Sequence, residues 1–351
     1  MVDLSEAQIA ALAVHKVGNK LRDGGMVLSD SLFQLNDEIR PILEDYFFKP
    51  FRKGEFFWQF THETDLSLNE VYTYTTAIFD TKRAGMLTHS ISMAKHLYAQ
   101  STHPNIKGGE LYVAWITGCQ VDGVMMDAVG IFKSENKDTF LHVGGDEDGD
   151  SVPVKAEQGI NIKRLDKGAL IFNTFAEDGY SLLMSDKAQE EGQYWRDDFL
   201  HIRRLQDDSF YTEAYLDMCG DFVEEVYSQT ESKKDQVVFM NDTINFFASN
   251  KEFDAEAFEN NVALNHPEVA QAFTMYKNKF EEEREITGEE GFNVSKQAIR
   301  EAKRRFKSLI KLDTGVEIKI DPKKGQTEYV ERGYDTSLQM GYYKVYFNQE
   351  E

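Results

Sequence analysis

The sequence predicts an α+β fold: an antiparallel β-meander with packed helices, followed by a helical region ending in a small antiparallel sheet. Three observations carry this. From Glu110 to Asp186 apolar residues recur with the period of strands, separated by the turn pairs Asp122-Gly123, Asp148-Gly149, Lys167-Gly168 and Asp178-Gly179. From Trp195 to Lys311 they recur at helical spacing. Strand and helix patterns are segregated rather than alternating, which argues against a parallel βαβ array. A chain of 351 residues fits about two domains. The composition shift near 187–193 divides it into a β-rich α+β domain, 1–190, and a mainly helical domain with a β tail, 191–351.

Taken in order, Ala10–Val17 and Met26–Leu28 read as strands around turns at Gly18-Asn19 and Asp23-Gly25. Asn36 is positioned to cap a helix over Asp37–Phe48, with Ile39, Ile42, Leu43, Tyr46 and Phe47 on one face. Leu66–Phe79, capped by Asp65, and Met86–Gln100 follow as helices. Leu111–Gly118 and Gly123–Lys133 form a hairpin. Thr139–Val143, Val152–Gly159, Ile162–Leu165, Lys167–Phe175 and Tyr180–Ser185 continue the strands. Helices are expected over Trp195–Leu205, Ser209–Thr230, Lys233–Asn250, Asp254–Leu264, Glu268–Glu285 and Ser295–Lys311, and a three-stranded tail over Gly315–Ile320, Thr327–Glu331 and Tyr342–Phe347.

Charge is the strongest compositional signal. The chain carries 39 basic and 61 acidic residues, a net −22. Such a surface repels phosphate at long range and argues against non-specific coating of DNA, which depends on phosphate neutralisation. No apolar run is long enough to span a bilayer. The acidic opening Met1–Glu6 has no secretory character, and two distant cysteines, Cys119 and Cys219, make no disulfide framework. A cytoplasmic protein without membrane association is expected.

The familiar catalytic patterns are missing. No Gly-rich phosphate loop follows a strand, and no Gly-x-Ser-x-Gly elbow occurs. Asp146, Asp148, Asp150 and Glu157 match positions of a calcium loop, but Ser151 stands where the turn needs glycine, so a solvated hairpin loop is expected. His89, His96 and His103 recur every seven residues, about 10.5 Å apart on a helix, too far to share one metal; two are expected on the helix surface and one in the loop. His62-Glu63 lacks the second zincin histidine, since Leu66 occupies its place. Neither cysteine has a neighbouring histidine in sequence. No enzymatic activity, metal or cofactor is expected.

One segment breaks the acidic trend. Between Gly291 and Gly325 ten basic residues oppose four acidic ones, a local net of +6 that leaves −28 for the remainder. Arg300, Lys303, Arg304, Lys307 and Lys311 follow three- and four-residue steps and put a basic strip on one helix face; Arg305, Lys323 and Lys324 add to it. Such a strip can track phosphates, or dock on an acidic surface of the chain itself or of a partner.

Several strings resemble the bacterial nucleoid-associated proteins of the NdpA family, in a Bacteroides-like form. They are Ile9–Asn19 with Leu28-Ser29, Tyr194-Trp195-Arg196-Asp197-Asp198-Phe199-Leu200, Ala302–Ser308 with Ile310–Asp313, and Tyr342-Tyr343-Lys344-Val345-Tyr346-Phe347. The resemblance implies a nucleoid location and association with DNA, directly or through DNA-bound partners. The expected site is the basic set Arg300, Lys303, Arg304, Arg305, Lys307, Lys311, Lys323 and Lys324. The alternative is an acidic interaction factor that reaches the nucleoid through a partner such as a topoisomerase. A homodimer is a further expectation, from the aromatic-rich composition.

Overall fold

The computed structural model describes residues 2–52, 56–144, 152–186, 194–284, 286, 291–306, 309–320 and 329–349. The chain divides between Leu205 and Gln206 into two compact units.

The first unit contains, in order, β1 (Val2–Asp3), β2 (Gln8–Val17), β3 (Met26–Val27), α1 (Ile39–Phe48), β4 (Trp58–Phe60), α2 (Glu70–Thr81), α3 (Met86–Gln100), β5 (Gly109–Val121), β6 (Val124–Ser134), β7 (Lys137–Val143), β8 (Val154–Ile160), β9 (Lys167–Phe172), β10 (Ser181–Asp186), a π-helix over Tyr194–Leu200, and β11 (Ile202–Arg204). The main sheet runs β11-β4-β10-β9-β6-β5-β2-β3, with β1 also on β5. Its pairs are antiparallel. The β7–β8 ribbon stands apart.

Strand alternation sorts the sheet's side chains onto two buried faces. Leu111, Val113, Trp115, Val129, Ile131 and Ile171 pack with residues of α2, α3 and the π-helix. Tyr112, Ala114, Ile116, Phe132, Leu170 and Phe172 pack with Tyr46, Phe47, Phe48 and Phe51 of α1 and its C-terminal end. The Phe47 and Phe132 rings stack at 4.3 Å. A bulge between Ile116 and Cys119 needs Gly118, whose φ is +76° and whose missing Cβ leaves room for the Glu6 carbonyl.

Two expectations for this unit are corrected. Ile162–Leu165 is not a strand: Asn161 closes a turn there, its Oδ1 accepting from Lys163 N at 3.0 Å and its carbonyl from Arg164 N at 3.1 Å. Trp195–Leu205 is not one helix. It is the π-helix followed by β11, and the break lies at His201, whose φ of +48° is incompatible with helix continuation. Ile202–Arg204 then pairs with Trp58–Phe60.

Three buried polar residues fix this unit. Asn69 Nδ2 bonds the Thr61, Leu200 and His201 carbonyls at 3.0–3.1 Å. His15 Nδ1 accepts from Ser29 N at 3.2 Å and its Nε2 lies 2.9 Å from Ser90 Oγ. His96 is buried rather than on the surface, its Nε2 bonded to the Phe199 carbonyl at 3.1 Å. Burial holds both imidazoles below the usual histidine range. The unfolded chain therefore binds protons that the native state refuses. Stability contributed by these histidines is present above about pH 6.5 and falls as pH drops below it, by at most about 1.4 kcal/mol per pH unit for each. Denaturation midpoints between pH 7 and 5 measure this, and His15→Gln should flatten the slope.

The second unit is an aromatic-cored helical array. Asp207 caps α4 (Asp208–Phe222), which continues through a π-turn at Val223–Tyr227 into α5 (Ser228–Thr230). A Ser232/Asp235 capping box opens α6 (Lys233–Ser249). β12 (Glu252–Phe253), α7 (Ala255–Asn265) capped by Asp254, α8 (Ala270–Arg284) and β13 (Phe292–Asn293) follow. Then come α9 (Lys296–Arg305), β14 (Leu309–Lys311), β15 (Glu317–Lys319), β16 (Val330–Asp335) and β17 (Met340–Val345). Phe222, Tyr227, Phe239, Phe247, Phe253, Phe258, Phe273 and Phe292 fill the core.

The expected three-stranded tail is instead two separate ribbons, β14–β15 and β16–β17, among the described residues. Leu312 N bonds the Val316 carbonyl and Gly315 turns at φ +83°, so Leu309–Lys319 folds back on itself. The basic helix is correspondingly shorter than Ser295–Lys311. Phe306 adopts an extended ψ of 91° and ends α9.

Candidate nucleic-acid interface

α9 starts at a side-chain cap, Ser295 Oγ accepting from Ala298 N at 3.3 Å. Its burial follows helical geometry. Ala298, Ile299 and Ala302 are buried, and Ile299 and Ala302 belong to the aromatic core. At about 100° per residue, Lys296, Arg300, Lys303 and Arg304 fall within about 100° of one another on the opposite side. All four are exposed. No ion pair involves Arg300, Lys303 or Arg304 among the described residues. Glu301 is the one acidic residue of α9, about 60° beyond Arg304 around the helix.

Arg305 lies elsewhere. It sits about 180° around the helix from Lys296 and reaches to α4, 2.7 Å from Asp217 and 3.8 Å from Glu213. Burial raises the Asp217 carboxyl pKa and the Arg305 guanidinium opposes that rise. Arg305 thus docks α9 onto α4. Lys311 is on β14, 3.1 Å from Glu317, both side chains exposed. Lys307, Lys323 and Lys324 lie outside the described residues. Lys296 extends the row by one turn at the N-terminal end; its four-residue offset from Arg300 was the available signal.

The same docking depends on close approach at Gly220 of α4. The Phe306 ring covers it, and a Cβ there would fall within the ring's contact envelope. Gly220→Ala is therefore expected to cost about 1–3 kcal/mol through overpacking, despite the better helix propensity of alanine. A lowered transition of the second unit by circular dichroism is the check.

The catalytic alternatives gain no geometry. His15 and Ser90 resemble a base–nucleophile pair, 75 residues apart and invisible in sequence. Yet His15 Nδ1 accepts from Ser29 N, so Nε2 carries the proton and donates to Ser90 Oγ. Ser90 Oγ in turn donates to the Leu87 carbonyl at 2.9 Å. That polarity is the reverse of base activation. Cys119 is buried on β5, its thiol pushed up to about 12 by burial and Asp127; burial also raises Cys219. Both are thiols rather than thiolates. Among the described residues no cluster of His, Cys, Asp or Glu is placed to hold a metal ion. The Asp146–Asp150 loop lies outside those residues, and Glu157 on β8 faces His142 at 3.3 Å. No helix among them is long and apolar enough to cross a membrane.

A family model described as nucleoid-associated protein YejK matches residues 13–337. The match covers most of the first unit and, in the second, runs through α9, the β14–β15 ribbon and β16, ending before β17. No curated protein matches the chain.

Proposed function

The chain belongs to the family of nucleoid-associated protein YejK, and from that premise we propose that it contacts duplex DNA directly, through the exposed basic row of α9. The row comprises Arg300, Lys303 and Arg304, with Lys296 at its N-terminal end; Lys307 follows in sequence beyond the end of α9 and is included in the proposed contact. One observation supports this above others: three adjacent cations on one helix face have no ion pair among the described residues, in a molecule of net charge −22. An anionic protein has ample carboxylates to neutralise them. Leaving them exposed favours an external polyanion. Lys311, Lys323 and Lys324 belong to the proposed contact in a secondary role, and Arg305 supports it by fixing α9. The role is binding rather than catalysis.

A salt-titrated affinity measurement on purified protein tests the reading. Three neutralised phosphates give a slope of about −2.7 in log K against log salt. A slope near zero, or no duplex affinity at low salt, would sink it. A homodimer would present two rows and strengthen weak contacts through multivalency.

The net −28 outside residues 291–325 favours a second reading, in which the acidic surface engages a basic DNA-bound partner such as a topoisomerase and nucleoid location is indirect. A pull-down after nuclease treatment separates the two. Partners that persist support it, and partners lost with the DNA support direct contact.

A further inference from the structure

We infer that the cavity at the β4–β11 end of the first unit's sheet binds a free α-amino acid with an apolar side chain. The site lies wholly within the first unit and does not rest on DNA contact by α9.

The cavity holds about 480 Å³, within the range of small-molecule sites. Residues of β4, of β11 and of the turn between β9 and β10 line it. Its apolar wall includes the buried Phe60 and Tyr180, with Leu66 and Leu205. The Tyr72 ring packs on both Phe60 and Tyr180, at 6.1 Å and 5.5 Å between centroids. Its hydroxyl donates to the Ala176 carbonyl at 3.0 Å, so the wall and the turn are tied together.

Phe175 is the residue of this wall that packing does not explain. It is 66% exposed, and its φ of +54° is left-handed. Bulky side chains rarely take that conformation, and glycine would hold the same turn at lower cost. The turn imposes it: the Phe175 carbonyl accepts from Asp178 N at 3.1 Å and from Tyr180 N at 2.9 Å. Neither burial nor backbone ease accounts for the ring, whereas a ligand in the cavity that it lines does.

The charges select the ligand. Arg203 lies across the ladder from Gln59, whose side-chain oxygen accepts from its Nε at 2.8 Å and its Nη2 at 2.9 Å. A neutral amide thus fixes the guanidinium without neutralising it, and Nη1 keeps its N–H groups for a carboxylate. Glu177 and Asp178 line the same cavity, and neither they nor Arg203 make an ion pair among the described residues. His62 Nδ1 accepts from Thr64 N at 3.2 Å, so Nε2 carries the N–H and adds a donor to the lining. Two carboxylates disfavour a simple anion, and the guanidinium disfavours a simple cation. A zwitterion satisfies both signs, with its carboxylate on Arg203, its ammonium beside the acids and its side chain against Phe175 and the apolar wall.

Calorimetric titration of the full chain tests this with L-phenylalanine, L-phenylalaninamide, hydrocinnamate and L-alanine. The second lacks the carboxylate, the third the ammonium and the fourth the ring. L-phenylalanine should bind about tenfold or more tighter than each of the others. Arg203→Gln should erase the preference over the amide. Glu177→Gln with Asp178→Asn should erase the preference over hydrocinnamate. All three side chains are exposed, so both variants should keep the wild-type circular dichroism. Phe175→Gly should lower L-phenylalanine affinity about tenfold while the thermal midpoint holds or rises, because glycine accepts the left-handed backbone. A ring kept for packing would lower the midpoint instead, so this variant decides the matter even if the charge variants misfold. No binding of L-phenylalanine at millimolar concentration, equal or tighter binding of the amide or hydrocinnamate, or unchanged affinity in the folded variants would overturn the proposal. Reversing the α9 row should leave amino-acid binding intact, so the two sites fail separately.

Discussion

Replacing Arg300, Lys303 and Arg304 together by glutamate is expected to abolish duplex DNA binding, by on the order of a hundredfold or more at low salt, with the fold intact. The three side chains are exposed and free of ion pairs among the described residues. Each substitution alone should therefore move stability by no more than about 0.5 kcal/mol. The milder set Arg300→Gln, Lys303→Gln and Arg304→Gln should leave weak binding but flatten the salt slope by about 2.7. Two controls give the result its meaning. Lys16→Glu, Lys20→Glu and Lys95→Glu change the net charge equally within the first unit. Their effect should be small in moderate salt, because they leave the row's own cations in place and affinity follows the number of phosphates those neutralise. Arg305→Glu should instead lower stability, since it sets a third carboxylate against Asp217 and Glu213. Unchanged affinity in the triple glutamate variant would remove the direct-contact reading and shift the weight to a protein partner.

How much of this was legible in the sequence follows from the range of each interaction. α3 begins and ends where periodicity and Pro104 place it, at Met86 and Gln100, and the β5–β6 hairpin turns at Asp122-Gly123. These rest on local patterns. The basic row was legible for the same reason: offsets of three and four put Arg300, Lys303 and Arg304 on one face. Arg305 follows the same rule to the opposite outcome, because its angle on the helix faces α4. The end of α9 at Phe306 was not legible. The apolar pattern runs on through Ile310, which is buried, but on a strand against Val237 and Ile320. His201 gave no warning of its left-handed backbone. It is fixed by pairing of β11 with β4, more than 140 residues earlier in the chain. The Tyr194–Leu200 string stood out as a family feature. Its physical role, a π-helix over the sheet held at Tyr194, required contacts that no local pattern records.

Those contacts make Lys133→Met the substitution expected to cost the most stability, about 3–5 kcal/mol. Lys133 is 1% exposed. Its ammonium has three protons to donate and three acceptors: the Lys107 carbonyl at 2.7 Å, Glu135 Oε1 at 2.7 Å and Tyr194 Oη at 2.9 Å. Tyr194 Oη donates in turn to Glu135 at 2.6 Å. Across the ladder Lys133 is paired with Lys167, also buried, whose ammonium is held 2.9 Å from both oxygens of Asp186. The Tyr194 ring centroid lies 5.3 Å and 5.1 Å from the two ammonium groups, so both cations are held beside one aromatic ring. Burial pulls the Lys133 pKa down while Glu135 opposes it, and burial with the neighbouring Glu135 raises Tyr194 far above a free phenol. Methionine preserves the aliphatic stem but leaves the Glu135 carboxylate buried without its cation. Adding Glu135→Leu should recover much of the loss, because removing a whole buried pair is far less costly than breaking it. Tryptophan fluorescence during chemical denaturation reads this cleanly, since Trp58, Trp115 and Trp195 are the only tryptophans and all belong to the first unit. If Lys133→Met unfolds at the wild-type midpoint, the cluster is not what anchors the π-helix to the sheet. If the double variant is no better than the single, the cost comes from lost packing around the lysine stem rather than from the stranded carboxylate.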